Sequence, residues 1–171
     1  MNLIPAFGEP CPDDGLDELN AKIASLGIAL AQGDITGSAD VGCKYYLGDN
    51  KIDLESVAFR FEGDKLIFTP GFVKPENPWD RDATEYNRDI VLSYNDWTES
   101  GEEDNMLAGS YAWLPDGKLQ LKIVQVYTPF IITFTVEFLQ KAIKAEYSVN
   151  VGFGNKPARL VGVSVNESSA V

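Results

Sequence analysis

The chain has 171 residues, with 26 acidic against 14 basic side chains, no histidine and a net charge of −12. That length suits one domain with a core large enough to fold without disulfide or metal staples, and a 44% hydrophobic, 23% charged composition is globular rather than disordered. The charge argues against nucleic acid or an anionic membrane as partner, and the missing histidine removes the commonest general base and the commonest metal ligand.

The N-terminus, Met1 to Ile4, has neither the basic start nor the long apolar run of a secretory signal. No stretch approaches the ~18 apolar residues a membrane-spanning helix needs. Compartment stays open. Pro5 to Pro12, with three prolines, reads as an extended linker or surface strap. A helix follows: Leu16, Leu19, Ile23 and Leu26 recur at helical spacing, Asp13 or Asp14 can cap it, and Gly27 sits where it should stop. Cys11 and Cys43 are too few for a zinc set. They could join the strap to the first strand, although two reduced thiols are the commoner outcome.

After Gly33 the period changes to two. Val57, Phe59 and Phe61 alternate with polar neighbours, and Gly63-Asp64 turns the chain into Lys65 to Thr69. Ile90, Leu92 and Tyr94 form a short alternation. Leu107 to Leu114 reaches a Pro115-Asp116-Gly117 turn and continues through Leu119, Leu121 and Ile123. Phe130, Ile132, Phe134, Val136 and Phe138 share one face of the clearest strand. Tyr147, Val149, Val151 and Phe153 make the next, and Val161, Val163 and Val165 close the series.

Eight or nine strands at hairpin spacing after one helix predict a mainly β, antiparallel fold. A barrel or strongly curled sheet of about eight strands removes exposed edges, and a two-sheet sandwich fits the same periodicity. The boundaries that follow are a connector and helix over 1–33, the β domain over 34–165 and a tail over 166–171, which contains the weak sequon Asn166-Glu167-Ser168.

The acidity is local. Residues 75–105 hold ten acids and two bases, in two stretches that read as long loops, 75–82 and Glu99 to Asp104. Such carboxylates could attract a cation, but calcium-loop spacing is absent and a solvated loop is the simpler account. Trp79, Tyr86 and Trp97 lie in the same segment. They are the candidate ligand-binding residues, because aromatics beside carboxylates suit stacking on sugar rings, although plugging a barrel end or anchoring a loop is the commoner role for such residues. Trp113, beside Tyr111 in a strand, reads as core.

Catalytic patterns are missing. Without histidine no Ser-His-Asp triad can form, no serine has a lysine three residues later, and Lys-Thr-Gly and Gly-x-Ser-x-Gly are absent. Gly152-Phe153-Gly154 is a strand-end turn rather than a phosphate loop. A carboxylate pair of the glycosidase type can always be imagined among 26 acids, so it carries no specificity. The sequence therefore predicts no catalytic residue, no metal site and no cofactor, and a chain that is not itself an enzyme.

Taken in order, the residues resemble the non-catalytic C-terminal domain of bacterial serine hydrolases of the β-lactamase, penicillin-binding protein and esterase superfamily. Leu3 to Asp14 and the helix resemble the connector after the hydrolase domain. Ile35-Thr36-Gly37, with Tyr45 or Tyr46 to Asn50, resembles that domain's opening strand, and Leu54 to Phe61 the strand after it. Gly109-Ser110-Tyr111-Ala112-Trp113 resembles its "Gly-x-Trp" strand, Thr128 to Phe138 its threonine-phenylalanine strand, and Leu160-Val161-Gly162 its closing strand. Two features depart from the pattern: the longer turn Leu139 to Ala142 and the acidic segment at 75–105. The resemblance implies a lipocalin-like antiparallel barrel that shapes or covers the active site of an upstream catalytic domain, its partner in the same protein. The alternative is a stand-alone barrel or sandwich that binds a carbohydrate or a small apolar ligand.

Overall fold

The computed structural model describes residues 16–25, 27–37, 41–72, 88–151 and 156–164. The proline strap, Cys11, Trp79, Tyr86, the Gly152-Phe153-Gly154 turn and the 166–171 tail lie outside these residues. The strands are β1 (Lys44–Leu47), β2 (Leu54–Glu62), β3 (Lys65–Phe72), β4 (Ile90–Tyr94), β5 (Thr98–Ser100), β6 (Leu107–Trp113), β7 (Leu119–Gln125), β8 (Ile131–Phe138), β9 (Ala142–Val149) and β10 (Ala158–Ser164), and all but β1 and β5 fall on period-two segments of the sequence. Helix α1 (Leu16–Ser25) precedes them.

Hydrogen bonding runs β4-β3-β2-β1-β10-β9-β8-β7-β6-β5, and a further pairing of β4 with β6 closes a barrel of nine strands. The barrel rather than the sandwich is formed, and no strand of that ring keeps a free edge. The closure departs from a fully antiparallel sheet, because β4 and β6 pair in parallel, Leu92 with Gly109 through Tyr94 with Tyr111. A tight turn at Asn95, whose φ is 53°, folds β5 back on β4. β5 then pairs with the first half of β6 while β4 pairs with the second. Glu99, expected in a long loop, is therefore a strand residue.

The inward faces carry the core. Leu54, Leu66, Phe68, Leu92, Tyr111, Leu119, Leu121, Val136 and Ile143 are almost fully buried. Aromatic rings run through it: Phe59 lies 5.3 Å from Phe68, Phe68 5.2 Å from Phe134, and Phe134 5.1 Å from Tyr147. Burying each such side chain stabilises the fold by roughly 1.5–3 kcal/mol, and ring pairing adds about 0.5–1.5 kcal/mol. Trp113 belongs to this core, 5.9 Å from Phe138.

The β10 reading needs correction. Val161 and Val163 are 61% and 55% exposed, and Leu160 and Gly162 face inward instead. A side chain at Gly162 would meet Leu47, Ile143 and Tyr45, so the inward position takes no larger residue without displacement, and the valines fall on the other face. The β9 pattern also shifts: the strand starts at Ala142 and ends at Val149, leaving Val151 beyond it.

Helix α1 has Asp17 and Glu18 in its first turn and Lys22 in its last, charges that suit the helix dipole. Its leucines do not enter the core: Leu16 and Leu19 are 53% and 52% exposed. The chain after it packs against the barrel. Lys122 Nζ donates to the carbonyls of Ala29 (2.8 Å) and Leu30 (3.1 Å), and Ala31 is buried. Asp34 and Trp113 exchange two backbone hydrogen bonds of 2.8 Å, which adds a short rung to the end of β6. Gly33 and Gly37 lie hard against Trp113.

Candidate functional site

The strand ends divide between two rims. At one, the Gly63 hairpin, the Pro115-Asp116-Gly117 turn and the Asp34–Trp113 rung close the barrel. At the other, where β3, β7 and β9 end and β4, β6 and β8 begin, an open cavity of about 280 Å³ enters the core. Its lining is chiefly apolar: Ile52, Phe68, Pro70 and Phe72 on one side, Ile90, Leu107 and Ile123 across the β4–β6 seam, and Ile132, Phe134 and Tyr147 opposite. Asp53 and Gln125 add the polar groups.

Two asparagines hold the rim. Asn50 Nδ2 donates to the carbonyls of Gly48 (2.8 Å) and Leu54 (2.7 Å), and its Oδ1 accepts from the amides of Ile52 and Leu54, both at 3.2 Å. One side chain thus satisfies four backbone groups of the β1–β2 loop and places Ile52 and Asp53 at the mouth. Asp53 sits at φ 53°, a left-handed conformation that aspartate and asparagine tolerate better than most residues. Asn150 does similar work across the mouth, donating to Pro129 O (2.9 Å) and accepting from the Ile131 amide (2.7 Å). Replacing Asn50 by alanine leaves those backbone groups without their partner. Urea unfolding is expected to show a loss of about 2 kcal/mol, as Ile52 and Asp53 lose their placement.

Several titratable groups outside the cavity fasten neighbouring strands or loops. Arg60 binds Asp89 Oδ2 (2.6 Å) and Glu62 Oε1 (3.0 Å) on the outer face. The Arg60 hydrogen bond, then one from Thr69 Oγ1, holds the Asp89 carboxyl below its usual range. Burial pushes the Tyr111 phenol up, with Asp64 adding to it, and its hydroxyl donates to Asp64 O at 3.0 Å. Lys65 Nζ donates to Ser93 Oγ (2.5 Å) and to Thr98 Oγ1 (3.2 Å), a lysine–serine contact that no spacing in the sequence announced. Ser93 is buried on the outward face of β4, away from the cavity, so the contact fastens β3, β4 and β5 together. Among the described residues no group of three or more histidine, cysteine, aspartate or glutamate side chains is placed to hold a metal ion. Cys43 is an exposed free thiol.

Of the sequence-predicted ligand residues, Trp97 is half-buried in the connection between β4 and β5, with its amide on Asp96 Oδ1 (2.8 Å). That connection follows the end of β4 remote from the cavity mouth, and Trp97 is not among the lining residues. Trp79 and Tyr86 belong to the segment that joins β3 to β4 and lie outside the described residues. Phe68, Ile90, Leu107, Ile123, Ile132, Phe134 and Tyr147 are legible in the sequence as strand positions but not as a site, because a packed interior and a hollow one give the same alternation; Ile52 and Asp53 come from a loop that carries no such signal.

No protein-family model and no curated protein sequence matches the chain. Solved structures do share its shape. A secretory abundant heat soluble protein of the tardigrade Ramazzottius varieornatus superposes with a TM-score of 0.53 at 12% identity, covering 80% of this chain and all of that one. Lipid binding protein 8 of Caenorhabditis elegans, in its apo form, gives 0.51 at 10% identity, covering 73% of this chain and 94% of that one. At such identities the likeness speaks to architecture alone: this chain is a closed, lipocalin-like β-barrel.

Proposed function

We propose that this protein is a stand-alone binding barrel that takes a small, mostly apolar molecule into its open-ended cavity and does no chemistry on it. The observation that carries the reading is the cavity itself, about 280 Å³ of space walled by isoleucine, leucine, phenylalanine and proline. Protein interiors are otherwise filled to crystal-like density, and wells of this composition with a few polar groups are where small ligands bind. The similarity to lipid binding protein 8 of Caenorhabditis elegans supports the same reading. At about 30 Å³ per water-sized group the space takes roughly ten non-hydrogen atoms. With about 0.7 kcal/mol from each, affinity falls on the order of 10 μM.

Fluorescence titration with N-phenyl-1-naphthylamine, a neutral apolar probe whose ten-carbon naphthyl ring system matches the space while its phenyl ring extends through the open mouth, tests it. Saturable enhancement, reversed by decanol, is expected. A linear, non-saturating signal refutes the cavity as a binding site.

The accessory-domain reading keeps one observation of its own. The leucines of α1 are exposed rather than packed on the barrel, which suits a connector helix that buries them on a neighbouring domain. It requires a Ser-x-x-Lys domain encoded upstream in the same reading frame, and sequencing that region decides it.

A further inference from the structure

Among the described residues that line the cavity, Asp53 is the one that carries a charge. No ion pair engages it among the described residues. The cations nearest along the chain are Lys51, in the same loop, and Arg60, which is paired with Asp89 and Glu62; neither lines the cavity, and nor does Arg88, which donates to the carbonyl of Asn105. Residues 73–87, between β3 and β4 in the sequence, contain Lys74 and Arg81 against Glu76, Asp80, Asp82 and Glu85. Gly152 to Asn155, between β9 and β10, contain no charge.

An ionised aspartate only accepts hydrogen bonds. At the mouth of an apolar well it opposes a second carboxylate, attracts a cation and accepts from a hydroxyl. We infer that the ligand is an amphiphile with a hydrogen-bond-donating head, an ammonium in preference to a hydroxyl, held at Asp53 with its apolar body inside, and that carboxylates are disfavoured. This rests on the cavity reading above and adds the polarity of the head group.

The test compares decylammonium, decanol and decanoate by calorimetric titration at low salt and pH 7, on the wild type and on Asp53→Asn. Asparagine tolerates the backbone conformation at that position and changes the overall charge by one, so the general acidity of the protein is retained. On the wild type, decylammonium is expected to bind about tenfold more tightly than decanoate, with decanol between them. In the variant the three should fall within about twofold of one another, and 0.5 M salt should narrow the wild-type spread. Decanoate binding as tightly as decylammonium, or an ammonium preference that survives in Asp53→Asn, overturns the inference and leaves the cavity reading standing. The inference also falls if none of the three binds while N-phenyl-1-naphthylamine does. Failure of that neutral probe as well overturns the cavity reading itself.

Discussion

Replacing Ile123 by tryptophan is expected to abolish ligand uptake while leaving the barrel folded. Ile123 lies in β7, is 2% exposed, and projects into the cavity from the strand paired with both β6 and β8. An indole there occupies the space a ligand would fill. Because the new ring enters a void rather than a packed region, the overpacking cost should stay within about 2 kcal/mol, at the mild end for such substitutions. The expected readout is a fall of at least tenfold in N-phenyl-1-naphthylamine affinity, with the urea midpoint lowered by no more than about 1 M. Val161→Trp is the comparator, since Val161 is an exposed outward residue of β10, and its affinity should not change. Unaltered probe binding in Ile123→Trp would mean that the probe sits elsewhere.

The second large effect concerns closure. Gly109 pairs with Leu92 of β4, Thr98 of β5 and Ile123 of β7, so the three strands meet at one residue that has no side chain. A Cβ there would stand 2.7 Å from the Val91 carbonyl oxygen and 2.8 Å from Leu92 Cγ, and the first of these is backbone that cannot swing aside. Gly109→Val must therefore push β4 away from β6 at the parallel seam. A loss of about 3 kcal/mol is expected, at the upper end for overpacking. Urea unfolding measures it, and near-ultraviolet circular dichroism should report the disturbed Tyr111 and Trp113 environment next to the seam. Gly48→Ala, where the added methyl meets nothing within 4 Å, is expected to be neutral within about 0.5 kcal/mol. A stable Gly109→Val with an intact aromatic spectrum would show that the seam is more pliant than its geometry implies.

These two residues show where sequence reasoning stops. Alternation around Phe59, Leu66, Leu121 and Phe134 was legible because side-chain direction in a strand is a local property with a period of two. The Gly63 and Pro115-Asp116-Gly117 turns were legible for the same reason, since a few adjacent residues set their backbone angles. The same logic misled at β10. Valines at 161 and 163 outweigh Leu160 and Gly162 in any apolar pattern, but the small inward residue is required by Leu47, Ile143 and Tyr45 on strands distant in sequence. Helix α1 was correctly placed from its leucine spacing, yet that spacing does not say whether a surface exists to cover the stripe. The aromatics of the acidic segment read as a binding face, while the cavity forms mostly among residues that read as ordinary core, with Ile52 and Asp53 added by the β1–β2 loop.

By itself the sequence determined a mainly β chain after one helix, the positions of most strands and their hairpins, and a lack of familiar catalytic motifs. Each depends on residues near one another along the chain. Only the tertiary structure decided for a barrel over a sandwich, for a parallel seam between β4 and β6, and for a hollow end with Asp53 at its mouth. Those outcomes are set by pairing between distant strands and by whether side-chain volumes fill the space they enclose, and neither quantity is written in local periodicity.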